Sequence, residues 1–246
     1  MEHYFEPSRK LPVKAKVDVL VLGGGPAGFS AAVNASRQGV TTMLVEQAGD
    51  VGGVATTGLM SHWTGNTKGG FYEEILKRCG GPNKRLINPE ELKTLMLEML
   101  DEAGVKLQLY TFASDVIVED NVAKGVIIES KSGREVILAK VIIDCTGDGD
   151  IAAKAGVPYV KGRDTDGKMQ PMTLMFKVAG VDMERAVFPG SFEDNIKIEK
   201  GYIQDLGKNN IPHPAGHVLL YPSTIPGVVT CNMTNVIEVD GTKSED

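Results

Sequence analysis

The sequence predicts an α/β protein with a parallel sheet, an antiparallel β-meander that leaves and rejoins that sheet, and a separate β-rich region. Three observations support this fold class. An apolar run is followed by three glycines, a helical pattern and a second apolar run. Residues 105–145 then change to strand periodicity, and short strands between connections rich in Gly, Pro and Asn follow Pro158. We therefore expect two domains, residues 1–158 and residues 159–246.

The first elements form a strand, turn, helix and strand unit. Val17 to Leu22 is a continuous β-branched and aliphatic run, which is typical of a strand buried on both faces. The run "TTMLVE", ending at Glu46, predicts the second strand, and a helical crossover makes the two strands parallel neighbours. Small residues at helical spacing predict a helix face that packs closely on the sheet: Gly28, Ala31, Ala32 and Ala35.

Two further helices follow a loop rich in Gly, Thr and Ser. The first is a short helix over residues 71–79. The second has complete boundary signals, with Asn88 as N-cap, Pro89 at the first position, Glu91 at the third and Gly104 just past the end. This pattern predicts a stable amphipathic helix that ends just before the strand periodicity over residues 105–145 begins.

Strand periodicity over residues 105–145 is interrupted by turn sequences at residues 119–121 and 131–134. It predicts a three-stranded antiparallel excursion that returns to the main sheet through "VIIDC", ending at Cys145. Beyond Pro158, the runs "TLMFKVAG" and "GHVLLYPSTIPGVVTCNM" predict strands of a second sheet.

Composition excludes several classes of function. Lys and Arg number 26 against 32 Asp and Glu among 246 residues, a formal charge of −6, without a basic block suited to nucleic acid or an anionic membrane. The first apolar run is too short for a signal segment or a membrane span. The three cysteines are Cys79, Cys145 and Cys231, which are widely spaced and form no CxxC motif. This pattern predicts neither disulfides nor a metal site, and it favours reduced thiols in a cytoplasmic protein.

The glycines after the first strand predict a binding site for a diphosphate. Gly23, Gly25 and Gly28 occupy the GxGxxG positions between a strand and a helix. The first permits a tight turn, the second allows close approach of a pyrophosphate, and the third allows the helix to pack on the strand. The N–H groups and dipole at the helix start favour the anion.

Glu46 predicts the nucleoside end of the same site. A carboxylate at the end of the second strand can accept hydrogen bonds from ribose hydroxyls, and no Arg follows it to favour a 2′-phosphate. NAD and FAD both satisfy this pattern. Gly52 and Gly53, which follow closely, would bring further backbone against an extended cofactor and so favour FAD.

Three motifs together carry a family resemblance: "DVLVLGGGPAGFSAA", "LVEQAGDVGGVATTGLM" and "VIIDCTGDGDIAAKAG". They resemble the Rossmann-like FAD-binding domain of glutathione reductase-type flavoproteins. The resemblance is strongest to bacterial FAD-dependent oxidoreductases related to fumarate reductase flavoproteins and thiazole synthases. It implies hydride transfer between FAD and an unidentified small molecule. The implied cofactor-binding residues are Gly23, Gly25, Pro26, Ala27, Gly28, Glu46, Gln47, Gly52, Gly53, Thr56, Val116, Thr146, Gly147 and Asp148.

Within this set the resemblance assigns particular contacts. Glu46 would bind the AMP ribose, Val116 would offer backbone atoms to adenine, and residues 146–148 would close the site. Gly52, Gly53 and Thr56 would line the diphosphate or ribityl chain. Members of the family are longer and return to the FAD domain after the substrate domain, so we expect this chain to be truncated and to hold the flavin loosely. A homo-oligomer or a second chain could complete the domain.

Catalytic residues are not assigned by the sequence. His62 and Trp63 lie in the loop that, by resemblance, faces the flavin, although packing is the commoner role for such a pair. Two alternatives to an FAD-dependent oxidoreductase stay open. One is an NAD-binding or thiazole synthase-like enzyme that uses the same glycines, and the other is a truncated, non-catalytic nucleotide-binding chain.

Overall fold

A computed structural model describes residues 3–60, 63, 68–79, 86–191 and 193–244. The strands are β1 Val13–Leu22, β2 Thr42–Val45, β3 Lys106–Gln108, β4 Phe112–Glu119, β5 Val122–Ser130, β6 Gly133–Asp144, β7 Phe176–Val178, β8 Lys197–Ile198, β9 Gly201–Tyr202, β10 Leu220–Pro222 and β11 Val229–Cys231. The helices are α1 Pro26–Arg37, α2 Gly70–Cys79, α3 Pro89–Glu102, α4 Asp150–Lys154 and α5 Ile203–Asn210, and Gly53–Ala55 is a 3₁₀ turn.

A six-stranded sheet confirms the predicted α/β class. Its strand order is β3-β2-β1-β6-β5-β4. β1 pairs in parallel with β2 and β6, and β2 pairs in parallel with β3, whereas β4, β5 and β6 pair antiparallel. The predicted antiparallel strands are therefore present as β4, β5 and β6. Strand β3 is an additional parallel edge strand, which the sequence pattern did not distinguish from them.

The buried face of helix α1 overlaps the predicted one but is rotated towards Phe29 and Val33. The expected face consisted of small residues only, but Ala31 and Ala35 are only half-buried. The fully buried positions include Phe29 and Val33, which have larger apolar side chains to remove from water. Gly28 and Ala32 remain on the buried face, so the close approach of the helix to the strands is retained.

The predicted boundaries of helix α3 are confirmed. Asn88 Oδ1 accepts from the Glu90 N–H at 3.0 Å, and the Asn88 side-chain amide lies 3.4 Å from Glu91 Oε1. Gly104 adopts a positive φ of 73° just beyond the last turn. The buried stripe of this helix is also the predicted one: Leu92, Leu95, Met96, Met99 and Leu100.

The chain divides into two compact units. The first contains Met1–Val51 and Met96–Pro158, and the second contains Gly52–Leu95 and Tyr159–Asp246. The second unit carries the three-stranded sheet β10-β11-β7, formed from both sequence runs predicted to be strands. The functional division into an FAD-binding domain over 1–158 and a substrate domain over 159–246 stays a prediction. Within the described part of the chain, no helix is long and apolar enough to cross a membrane.

Candidate dinucleotide-binding site

Two glycines of the turn between β1 and α1 are required by the packing of the protein itself. Gly23 has a φ of +93°, and a Cβ added there would lie 2.2 Å from the Cys145 carbonyl oxygen. A Cβ added at Gly28 would lie 1.8 Å from the Gly23 carbonyl oxygen and 3.1 Å from the Cys145 Cβ. No side chain fits at either position, so these glycines are explained without a ligand.

Gly25 differs from its two neighbours in the motif. Its φ of −64° and ψ of −177° are open to any residue. A Cβ added there would meet nothing within 4 Å. Neither backbone conformation nor packing within the described residues therefore requires glycine at this position. Close approach of a pyrophosphate to this backbone would require it, and that role of Gly25 stays a prediction.

The start of helix α1 offers the matching donors. Gly25 is the N-cap residue, Pro26 is the first helical residue, and the first turn contains no acidic residue. Among the described residues, no side chain caps this end of the helix by a hydrogen bond. Ala27 and Gly28 are the next residues of the first turn. The backbone N–H groups and the positive end of the helix dipole suit an anionic ligand here.

Glu46 lies directly beside the glycine turn. Glu46 is only 8% exposed, and its Oε2 accepts a hydrogen bond from the Gly24 N–H at 2.5 Å. Its Oε1 accepts from the Ala48 N–H at 2.7 Å. Each carboxylate oxygen can accept more than one hydrogen bond, so both retain capacity for ribose hydroxyls. Gln47, the neighbour in the predicted set, is exposed.

The segment after β6 is organised by Asp144, a residue that sequence analysis missed. Asp144 Oδ1 accepts from the Thr146 N–H at 3.0 Å and from its hydroxyl at 2.7 Å. Its Oδ2 accepts from the N–H groups of Ile151 and Ala152 at 2.9 and 2.8 Å. Partial burial opposes ionisation, but these hydrogen bonds outweigh it, and the pKa of Asp144 lies below its usual value.

Asp144 therefore fixes the start of helix α4, although Asp150 lies next to the helix start and carries the stronger local capping signal. The N-cap residue is Gly149, with a φ of 70° and no side-chain cap, and Asp150 is the first residue of the helix. An Asp beside a helix start is a strong capping signal, but the same bonds can come from an acceptor farther back in the chain. Thr146 is held by Asp144, while Gly147 has a φ of 103° and open space at its Cβ position. The predicted roles of Thr146, Gly147 and Asp148 as cofactor contacts stay predictions.

The second glycine pair forms a tight turn in the second unit. Gly52 and Gly53 have positive φ values of 104° and 49°. A Cβ added at Gly52 would lie 2.3 Å from Thr56 Cγ2, and Thr56 is only 1% exposed. Gly52 is thus needed for the local packing of Thr56. Cofactor contacts by these three residues stay predictions.

Val116 lies within the β4–β5 ladder, paired with Val126. Its backbone N–H donates to the Asp115 carboxylate at 2.8 Å, and its side chain packs against the core cluster. Its predicted backbone contact with adenine is not tested by these interactions and stays a prediction.

The weaker candidates are described only in part. His62 lies outside the described residues. Trp63 stacks on Tyr72, with ring centroids 5.4 Å apart and an interplanar angle of 27°. This contact agrees with a packing role for Trp63. Clusters of three or more His, Cys, Asp or Glu residues suited to a metal are absent from the part of the chain that the structure describes.

The cysteines have no sign of redox activation. All three are free, and burial raises the pKa of each thiol, in the case of Cys79 to about 11. A raised pKa keeps the thiol protonated and lowers its reactivity. Cys145 at the end of β6 instead gives its carbonyl oxygen and Cβ to the close packing around Gly23 and Gly28.

Comparison with known proteins identifies a family. A family model described as FAD dependent oxidoreductase matches residues 18–245. The chain is 29% identical over 206 residues to a thiamine thiazole synthase of Methanococcus vannielii, covering 72% of this chain and 74% of that protein. It is 25% identical over 196 residues to a digeranylgeranylglycerophospholipid reductase of Methanosarcina acetivorans, covering 68% of this chain and 46% of that protein. The chain thus spans about half the length of the reductase.

Solved structures share the fold. A geranylgeranyl bacteriochlorophyll reductase-like protein from Thermoplasma acidophilum matches with a TM-score of 0.59 and 18% identity, over 89% of this chain and 56% of that one. L-proline dehydrogenase from P. horikoshii matches with a TM-score of 0.57 and 14% identity, over 92% of this chain and 71% of that one. At these identities the likeness concerns the fold, and it confirms the predicted fold class.

Proposed function

The chain belongs to the FAD dependent oxidoreductase family, and on that premise we propose that it binds FAD at the β1–α1 turn and oxidises or reduces a small molecule. The observation that supports this proposal most is Gly25. Within the part of the chain that the structure describes, neither the backbone angles nor the packing of Gly25 requires glycine, and no side chain caps the helix that begins there. A diphosphate beside Gly25 accounts for both features.

The chain's own residues have distinct tasks in this proposal. The N–H groups at the start of α1 bind the diphosphate, and the open space at Gly25 lets the diphosphate reach them. Glu46, fixed by the N–H groups of Gly24 and Ala48, accepts from the AMP ribose. These contacts hold the cofactor in one orientation, which a reaction at a fixed distance requires.

Bound FAD would supply hydride transfer, which no side chain can supply by itself. The raised pKa values of the three thiols agree with this assignment, since none of them is prepared for dithiol chemistry. The relatives are named for different reactions, and we propose no substrate narrower than a small molecule. The free cysteines support a reducing, cytoplasmic location.

The proposal is tested on the purified 246-residue chain supplied with FAD. We expect calorimetric titration to show that the chain binds FAD, and FAD to be the nucleotide recovered when the complex is denatured. The Glu46→Ala variant is expected to retain less FAD because the ribose contact is lost. Release of NAD instead, or a chain that takes up no flavin, would contradict the proposal.

A further inference from the structure

Tyr110 is an unusual residue for its position. It follows β3, its side chain is 75% exposed, and its φ is 49°. A bulky non-glycine residue rarely adopts a positive φ unless the surrounding structure imposes it. The interactions on either side of Tyr110 show what imposes it here.

The backbone around Tyr110 is bonded to the segment that carries Glu46. The Tyr110 N–H donates to the Ala48 carbonyl at 3.0 Å, and the Thr111 N–H donates to the Glu46 carbonyl at 3.0 Å. Thr111 is 1% exposed, and its hydroxyl donates to the Leu109 carbonyl at 2.9 Å. Gln108 Nε2 donates to the same hydroxyl at 3.1 Å. These hydrogen bonds join the turn to residues 46–48 and fix the backbone conformation of Tyr110.

The ring of Tyr110 covers Gly49. A Cβ added at Gly49 would lie 2.1 Å from the Tyr110 hydroxyl oxygen and 2.4 Å from its Cζ. A side chain at Gly49 would therefore require the Tyr110 ring to move. Between Gly49 and Glu46 lies Ala48, whose N–H donates to Glu46 Oε1 at 2.7 Å. The ring and the backbone of Tyr110 therefore constrain the same short segment that fixes the Glu46 carboxylate.

We propose that Tyr110 is a positioning residue for nucleotide binding, which holds residues 46–49 so that the Glu46 carboxylate is preset for the ribose hydroxyls. The inference rests on the proposed function, because it assumes that Glu46 binds the ribose. A preset acceptor loses less conformational freedom when the ligand arrives, and affinity rises accordingly. Without the ring, residues 46–49 keep their backbone hydrogen bonds but lose the side-chain contact at Gly49, so the Ala48 N–H and the carboxylate that it orients are held less firmly.

The quantity to measure is the preference of the chain for ADP over 2′-deoxy-ADP, which depends on contacts with the ribose and not on the stability of the fold. ADP and 2′-deoxy-ADP differ only by the 2′-hydroxyl, so the ratio of their affinities reports the hydrogen bond to Glu46. We expect the full chain to prefer ADP about tenfold, as for one hydrogen bond to a charged group. Tyr110→Asn removes the ring but keeps a residue that accepts a positive φ. We expect its preference to fall to about twofold, and Tyr110→Phe, which keeps the ring, to stay near the wild-type value.

Two further variants make the test independent of a single substitution. Gly49→Ala should displace the ring and also reduce the preference for ADP. Tyr4→Asn, the same change at a tyrosine that is 96% exposed, should leave it unaltered. Calorimetric titration of each variant with the two nucleotides gives the ratios.

The outcomes separate the inference from the proposed function. If Glu46→Ala abolishes the preference while Tyr110→Asn and Gly49→Ala keep it, Tyr110 has no positioning role and the FAD site stands. Equal weakening of both nucleotides in Tyr110→Asn would likewise overturn the inference, since it would indicate a general structural effect. If the wild-type chain shows no preference, or Glu46→Ala retains it, the ribose role of Glu46 fails, and the inference fails with it.

Discussion

The two compact units of this chain contain very different amounts of regular structure. The first is built on a six-stranded sheet in which β6 alone has 12 residues, and Leu20, Leu22 and Leu44 in strands β1 and β2 are fully buried. The second has a three-stranded sheet of strands with 3 residues each, and Leu174, near its edge strand β7, is 73% exposed. The residues proposed to bind the diphosphate and ribose belong to the first unit.

This difference has a consequence for substitution. In the first unit, long strands fix the glycine turn so closely that an added methyl group at Gly23 or Gly28 overlaps backbone atoms. In the second unit, the strands are short, and many of the residues that connect them are exposed. We expect substitutions near the turn to have large effects on stability, and helix-end substitutions in the second unit to have small ones.

The largest effect on stability is expected for Gly28→Val. The first added carbon would lie 1.8 Å from the Gly23 carbonyl oxygen, so helix and strand must separate. Overpacking of this kind costs about 3 kcal/mol or more when backbone is the neighbour. Urea unfolding followed by circular dichroism measures it. A Gly28→Val chain with a wild-type unfolding midpoint would show that α1 does not pack on the turn as described.

A smaller effect is expected for Asp144→Ala, which removes two hydrogen bonds at the start of α4 and two to Thr146 in the preceding turn. Loss of such a cap costs about 1 to 2 kcal/mol. The effect should depend on pH. Because folding lowers the pKa of Asp144, its stabilisation is complete above its ordinary value of about 3.9 and is lost as the pH falls through the lower folded-state pKa.

The difference in unfolding free energy between wild type and Asp144→Ala should therefore be constant near neutral pH and shrink in acid. Urea titrations at several pH values measure this difference. A difference that grows as the pH falls would contradict the assigned hydrogen bonds.

The smallest effect is expected for Asn88→Ala in the second unit. It removes the bond from the Glu90 N–H at the start of α3 and should cost about 1 kcal/mol. Thermal unfolding compared with Asn88→Asp, which keeps an acceptor at the cap, isolates this bond. A cost as large as that of Gly28→Val would mean that the second unit is as sensitive as the first, and the comparison of the two would fail.

The features predicted correctly from sequence are those set by neighbouring residues. The strand before Gly23, the helix with Asn88 at its start and the excursion ending at Cys145 each carry a local signal of period, cap or turn. The family and its cofactor followed from three such motifs in order.

The features that were missed depend on residues far apart in sequence or on competition between signals. Asp144 caps a helix that begins six residues later, across a glycine turn, where Asp150 gave the stronger local signal. The position of the Tyr110 ring was not predictable from its neighbours in sequence, because the ring packs against Gly49, which lies in another part of the sequence. The buried face of α1 was decided by the size of Phe29 and Val33, whereas the pattern of small residues suggested a face that overlaps it only in part.

The central claim is that position 25 requires glycine because a bound dinucleotide approaches the backbone there. Calorimetric titration of Gly25→Val with FAD tests it most directly. Gly190→Val is the matched control because, among the described residues, a Cβ added at Gly190 would have Asp194 Oδ2, at 3.7 Å, as its one neighbour within 4 Å. We expect Gly25→Val to unfold at the wild-type urea concentration yet bind no FAD, while Gly190→Val binds as wild type does. A folded Gly25→Val chain that binds FAD with unchanged affinity, or a wild-type chain that binds NAD more tightly than FAD, would contradict the account.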